Sequence, residues 1–131
     1  MVNPFKTGDS KVFTHIVEMA DIAAFESGVV HQVYSTFFFF FDAEWSTRLF
    51  VLEMKEADEE GIGTFIEVIH RSPAKVGSTV NFYATLEAVN GHEIICSFIA
   101  KCGERIIAEG KTGQKILKKE KLNRIMAAIE N

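Results

Sequence analysis

The sequence predicts an α+β fold in which one antiparallel sheet wraps a single long helix, and three observations predict it. From Ser35 to about Glu56 the chain holds neither Pro nor Gly, which suits a helix of roughly 30 Å. Behind it, from Thr64 onward, come four β segments divided by turn residues. The whole is 131 residues, 47% hydrophobic and 24% charged, the size and composition of one globular domain with one core, spanning residues 1–131.

Taken in order, Lys11 to Met19 mixes Val, Phe, Thr and Ile in a short run and fits a first strand. Ala20 to His31 lacks a clear period and reads as a connection with one short helical turn. The helix then opens on five consecutive phenylalanines, Phe37 to Phe41. At 100° per residue they cover every face of the first turns, so that part of the helix is expected to be buried all round. Periodicity alone also allows a buried strand there, and the unbroken run that follows favours the helix.

Beyond Gly61 and Gly63 the period changes to two, with Thr64, Ile66, Val68 and His70 on one face of a strand and Phe65, Glu67 and Ile69 on the other. Thr79 to Val89 is the next strand, with Val80, Phe82, Ala84 and Leu86 sharing a face. Asn90-Gly91 is a hairpin signal of the type I′ kind, followed by strands at Glu93 to Lys101 and Arg105 to about Ile116. Leu122, Ile125, Met126 and Ile129 then recur at helical spacing in Lys118 to Glu130. The expected architecture is a strand, a long helix and a four-stranded antiparallel meander. An open sheet edge invites pairing, so a homodimer joined edge to edge is expected, with a dimer of dimers as a larger assembly.

A net charge of -4 argues against nucleic acid, whose partners carry basic stripes. The first ten residues lack an apolar signal-peptide core, and no stretch approaches the roughly 20 apolar residues of a membrane span. A cytoplasmic protein is expected. Cys96 and Cys102 have no CxxC or Cys/His companions, so neither a disulfide framework nor a metal site is expected.

The segment Val33-Tyr34-Ser35-Thr36, then Glu44-Trp45, then Gly63-Thr64 leading into His70-Arg71-Ser72-Pro73, resembles the fluoroacetyl-CoA thioesterase branch of the hotdog fold. The likeness extends from Phe13-Thr14-His15 to the last strand. It implies hydrolysis of an acyl-coenzyme A thioester, with no cofactor beyond the coenzyme A of the substrate. It also implies a catalytic set of Thr36, Glu44 and His70, with the Gly63 backbone near the thioester. Three features depart from the family pattern, the first being a shorter lid region before the helix that lacks the aromatic cluster used to recognise fluorine. Phe37 to Phe41 stand where the family helix has glycines and small residues, and Asp42-Ala43 replaces an aliphatic pair before Glu44.

Each candidate also has an ordinary structural role. Ser35 or Thr36 suits a helix N-cap. Glu44 precedes Arg48 by four residues, the spacing of a surface ion pair. His70 shares its face with Ile66 and Val68, where a histidine is commonly structural; His15, His31 and His92 read as surface or structural residues. Thr36 and Glu44, if both helical, stand about 12 Å apart along the axis and cannot bond directly. The chemistry expected of the set is Glu44 as nucleophile or base for water, His70 as proton shuttle and Thr36 as orienting hydroxyl, or else Thr36 as nucleophile activated by His70. Arg71, Lys75 and Lys101 are candidates to meet the coenzyme A phosphates. A hydratase or dehydratase on acyl thioesters, and a non-catalytic acyl-binding module, are the competing functions.

Overall fold

The computed structural model describes residues 1–25 and 28–130, with the backbone alone at 23–25 and 29–31. Its elements are β1 (Ser10–Ile16), a 3-10 turn (Met19–Asp21), β2 (Ile22–Phe25), β3 (Gly28–Tyr34), α1 (Thr36–Met54), β4 (Glu59–His70), β5 (Thr79–Asn90), β6 (Glu93–Cys102), β7 (Arg105–Lys118) and α2 (Lys119–Ala127). Five strands form one antiparallel sheet in the order β1-β5-β6-β7-β4, and α1 lies across it touching every strand. This is the hotdog arrangement, a sheet wrapped on one long helix.

Three departures from the expected topology bear on the site. The segment between β1 and α1 holds the predicted helical turn, but the rest is a β2–β3 hairpin rather than a connection. The side chain of His31 lies outside the described residues. The four late strands are not a simple meander: β5, β6 and β7 are, while β4 crosses to the far side of β7 and becomes a sheet edge. At the Asn90-Gly91 hairpin, Asn90 pairs with Glu93, so the two loop residues are Gly91 and His92. Only Gly91 has positive φ, at 63°, which excludes the type I′ turn and fits its relative with Gly in the first central position.

The phenylalanine run is not buried all round. Phe39 is fully buried against Tyr34, Phe82, Phe98 and His70, whereas Phe37 and Phe41 are 77% and 71% exposed. The sheet covers one side of the helix only, so rings pointing away from it stay uncovered. Further along, Phe50, Val51 and Met54 are sealed against Leu86, Ile94, Cys96 and Ile116. Burial there pushes the Cys96 thiol up to about 12, so it is an inert core thiol rather than a nucleophile.

The strand β4 carries the feature that matters most for function. Its pairing with β7 slips between Gly63 and Phe65, leaving Thr64 as an extra residue in a β-bulge. A bulge reverses the alternation of a strand. Buried Glu59 and Gly61 precede it at odd positions, and half-buried Ile66, Val68 and His70 follow it at even ones. Gly63 thereby faces Glu44 of α1 and His70 faces Phe39, so the two share the helix-facing side, although Gly63, like Thr64, is exposed.

Candidate active site

Ser35 caps α1, its hydroxyl accepting a hydrogen bond from the amide of Phe38 at 3.2 Å. That settles the choice between neighbouring hydroxyls: Ser35 satisfies an orphan amide of the first turn, and Thr36 is free for other work. The Thr36 hydroxyl lies 3.4 Å from Nδ1 of His70. The imidazole packs on the Phe39 ring, centroids 5.3 Å apart. Its Nε2 is buried and has no hydrogen-bond partner among the described residues. Buried polar atoms in that condition are uncommon and costly, by about 1–3 kcal/mol.

Thr36, His70 and Arg71 line one cleft of about 350 Å³, together with Tyr34, Ser35 and Pro73. Arg71 stands at its rim, and its guanidinium donates to Glu109 Oε1 at 2.6 Å. Part of its charge is therefore already matched within the chain.

Glu44 is elsewhere. It does not pair with Arg48, which donates instead to Glu60 Oε1 and to the Gly61 carbonyl, both at 2.9 Å. The carboxylate instead lies against Gly63, where a Cβ would come within 2.7 Å of Glu44 Oε1. A glycine is needed at that position for the carboxylate to lie there. Beside it opens a cavity of about 570 Å³, walled by Phe37, Phe38, Phe40 and Phe41 of α1 and Ile66 of β4.

The floor of this cavity holds a polar group that sequence reasoning missed. His15 Nε2 donates to Asp21 Oδ2 at 2.7 Å and lies 3.6 Å from Asp42 Oδ2, and the Tyr34 hydroxyl donates to the same Asp42 oxygen. Burial raises the Asp42 carboxyl above its ordinary range, although the Tyr34 hydrogen bond and the His15 charge pull it down. Burial first, then the bond to Asp42, drives the Tyr34 phenol upward as well. His15 is thus a cavity residue and not a surface one, whereas His92 is an exposed turn residue as expected. The available signal was Asp42 itself, an acid directly after five phenylalanines, which must find a partner when its helix is packed. Ligand atoms of His15, Asp21 and Asp42 lie within 4.8 Å of one another, a set chemically able to hold a divalent cation.

The structure thus joins Thr36 to His70 and Glu44 to Gly63, but it does not bring the two pairs together within the chain. From Gly63 to His70 the strand runs roughly 20 Å, while α1 rises only about 12 Å from Thr36 to Glu44.

Comparison with known proteins agrees with this architecture. A solved hypothetical protein of Thermus thermophilus, a thioesterase superfamily member, is 30% identical, with a TM-score of 0.90 over 96% of this chain and 93% of its own. A hot-dog-like protein from Thermanaerovibrio acidaminovorans is 18% identical, with a TM-score of 0.86 over 97% and 95%. A mutant of the fluoroacetyl-CoA-specific thioesterase FlK, in complex with fluoroacetate and CoA, is 24% identical, with a TM-score of 0.81 over 91% and 100%. No curated protein matches the sequence significantly. The family model of the fluoroacetyl-CoA-specific thioesterase FlK matches residues 17–120. The bulged edge strand, the capped helix and that match over most of the chain lead to one conclusion: the chain belongs to the FlK thioesterase family of the hotdog fold and is a thioester hydrolase.

Proposed function

We propose that this protein hydrolyses an acyl-CoA to the free acid and coenzyme A, as a cytoplasmic homodimer whose active sites each draw on two protomers. The observation that carries the proposal is the bulge in β4, which sets Gly63 and His70 on one side of an edge strand. Antiparallel pairing of two β4 edges about a two-fold axis near Ile66 and Glu67 sets Gly63 opposite the partner's His70. Glu44 of one protomer then meets the Thr36–His70 pair of the other, and the thioester carbonyl lies between them.

In that arrangement Glu44 takes the proton from an attacking water, or attacks the carbonyl itself. His70 carries a proton to the departing thiolate, and Thr36 orients the imidazole through Nδ1. Free amides at the start of α1 offer a positive dipole end for the developing oxyanion. Water is the only other reactant required. The complex of FlK with fluoroacetate and CoA supports a small acyl-CoA as the substrate class. Arg71 lines the Thr36–His70 cleft, and in this reading its guanidinium meets a coenzyme A phosphate.

A thiol-release assay over short acyl-CoAs tests the proposal. Glu44→Gln is expected to lower kcat by about 10²-fold or more, and His70→Ala by a comparable factor. Unimpaired turnover in Glu44→Gln would exclude the carboxylate role. Enoyl absorbance changes without free thiol would favour a hydratase instead.

A further inference from the structure

The cavity beside Glu44 ends on a charge that no simple acyl chain requires. Asp42 is only 7% exposed, yet one of its oxygens, Oδ1, accepts no hydrogen bond among the described residues. The residue lines the cavity. Asp21 Oδ2 takes hydrogen bonds from His15 and the Glu18 amide, and its Oδ1 accepts none among the described residues. The donors present, the Tyr34 hydroxyl and His15 Nε2, are spent on these same two carboxylates. The floor therefore offers carboxylate acceptors, two acids to one imidazole. Its walls are phenylalanine rings, whose faces attract cations.

We infer that the acyl group this enzyme takes carries a protonated amine, held between Asp21, Asp42 and the phenylalanine walls. This rests on the thioesterase function and names the substrate class of the same site. An ammonium supplies donors to the unbonded carboxylate oxygens and neutralises a floor in which two acids face one imidazole. A carboxylate-tipped acyl group is repelled there, and a plain alkyl tip leaves the acids desolvated and unmatched. A hydroxyl gives one donor and no charge, so it ranks between the two.

Three acyl-CoAs of equal heavy-atom count, 3-aminopropionyl-, 3-hydroxypropionyl- and butyryl-CoA, separate these cases. In the thiol-release assay, 3-aminopropionyl-CoA is expected to exceed butyryl-CoA by about 10-fold or more in kcat/KM, the scale of a charge-assisted hydrogen bond. Asp42→Asn and, independently, Asp21→Asn should collapse that ratio toward one; the quantity compared is the ratio, not either rate. Calorimetric binding of the same three compounds to Glu44→Gln gives the answer without turnover, with the amine again about 10-fold tighter. Equal rates and equal affinities for amine and alkyl overturn the inference while leaving thioester hydrolysis intact. Tight amine binding with no hydrolysis of any thioester by the wild type keeps the inference and removes the enzymatic function. A preference that appears only with added divalent cation overturns it in favour of a metal bound by His15, Asp21 and Asp42.

Discussion

The two halves of α1 share one helix and do different work. From Ser46 to Met54 the helix is anchored: Phe50, Val51 and Met54 are fully buried, and Thr47 accepts hydrogen bonds from buried Thr112 and Gln114 at 2.7 and 3.2 Å. From Thr36 to Glu44 the same helix buries Phe39 but leaves Phe37 and Phe41 open around a cavity, and carries Asp42 and Glu44 into it. Hydrophobic side chains thus serve two ends, and only exposure separates them. The C-terminal half holds the fold together, while the N-terminal half gives up burial to make a chamber.

Mutations that exchange these roles test the contrast. The largest expected effect is Phe50→Ala, which should cost about 3–5 kcal/mol in urea unfolding because a fully buried ring leaves a hole. Phe41→Ala, at 71% exposure, should change stability by no more than about 0.5 kcal/mol while lowering kcat/KM several-fold. Similar stability losses in both would erase the distinction. Next comes Gly63→Ala, whose methyl group would displace the Glu44 carboxylate; about a 10-fold fall in kcat with little change in melting temperature is expected. Ser35→Ala removes the cap of α1 and should cost about 1 kcal/mol, measured by the same unfolding curves.

The smallest effect is a pH dependence. The Asp42 carboxyl is raised above the ordinary 3.8 by burial, so in the window above that value the native state holds a proton that the unfolded chain has released. Stability then falls as pH rises through the folded-state value, and it is fully kept only below the unfolded one. Compared with Asp42→Asn, the wild type should lose stability from about pH 4 upward and level off once Asp42 is ionised. Parallel pH profiles for the two proteins would show that Asp42 is not held in this way.

Much of the fold was legible because its signals are local. The Pro- and Gly-free run after Ser35, the alternation of Val80, Phe82, Ala84 and Leu86, and the turn glycines each name an element without reference to the rest of the chain. Thr36 and His70 were also legible, through spacing and resemblance, and they do meet. What escaped depends on contacts between elements. The bulge at Thr64 is set by pairing with β7, and β4 lies beside β7 only because the chain crosses the sheet. The exposure of Phe37 and Phe41 depends on which side of α1 the sheet covers, which helical periodicity does not specify. His15 acquires its role from Asp21 and Asp42, partners on other elements. The terminal helix was read over Lys118 to Glu130, but α2 ends at Ala127 and leaves Ile129 beyond it, and Ile125, Met126 and Ile129 are all exposed in this chain.

The central claim is that Glu44 acts with the Thr36–His70 pair of the opposite protomer. Mixing Glu44→Gln and His70→Ala chains, each inactive alone, and isolating the differently tagged heterodimer tests it most directly. A shared site predicts that the heterodimer recovers roughly half the wild-type turnover per dimer, because one of its two sites then has both native residues. A heterodimer as inactive as its parents would mean that each protomer works alone.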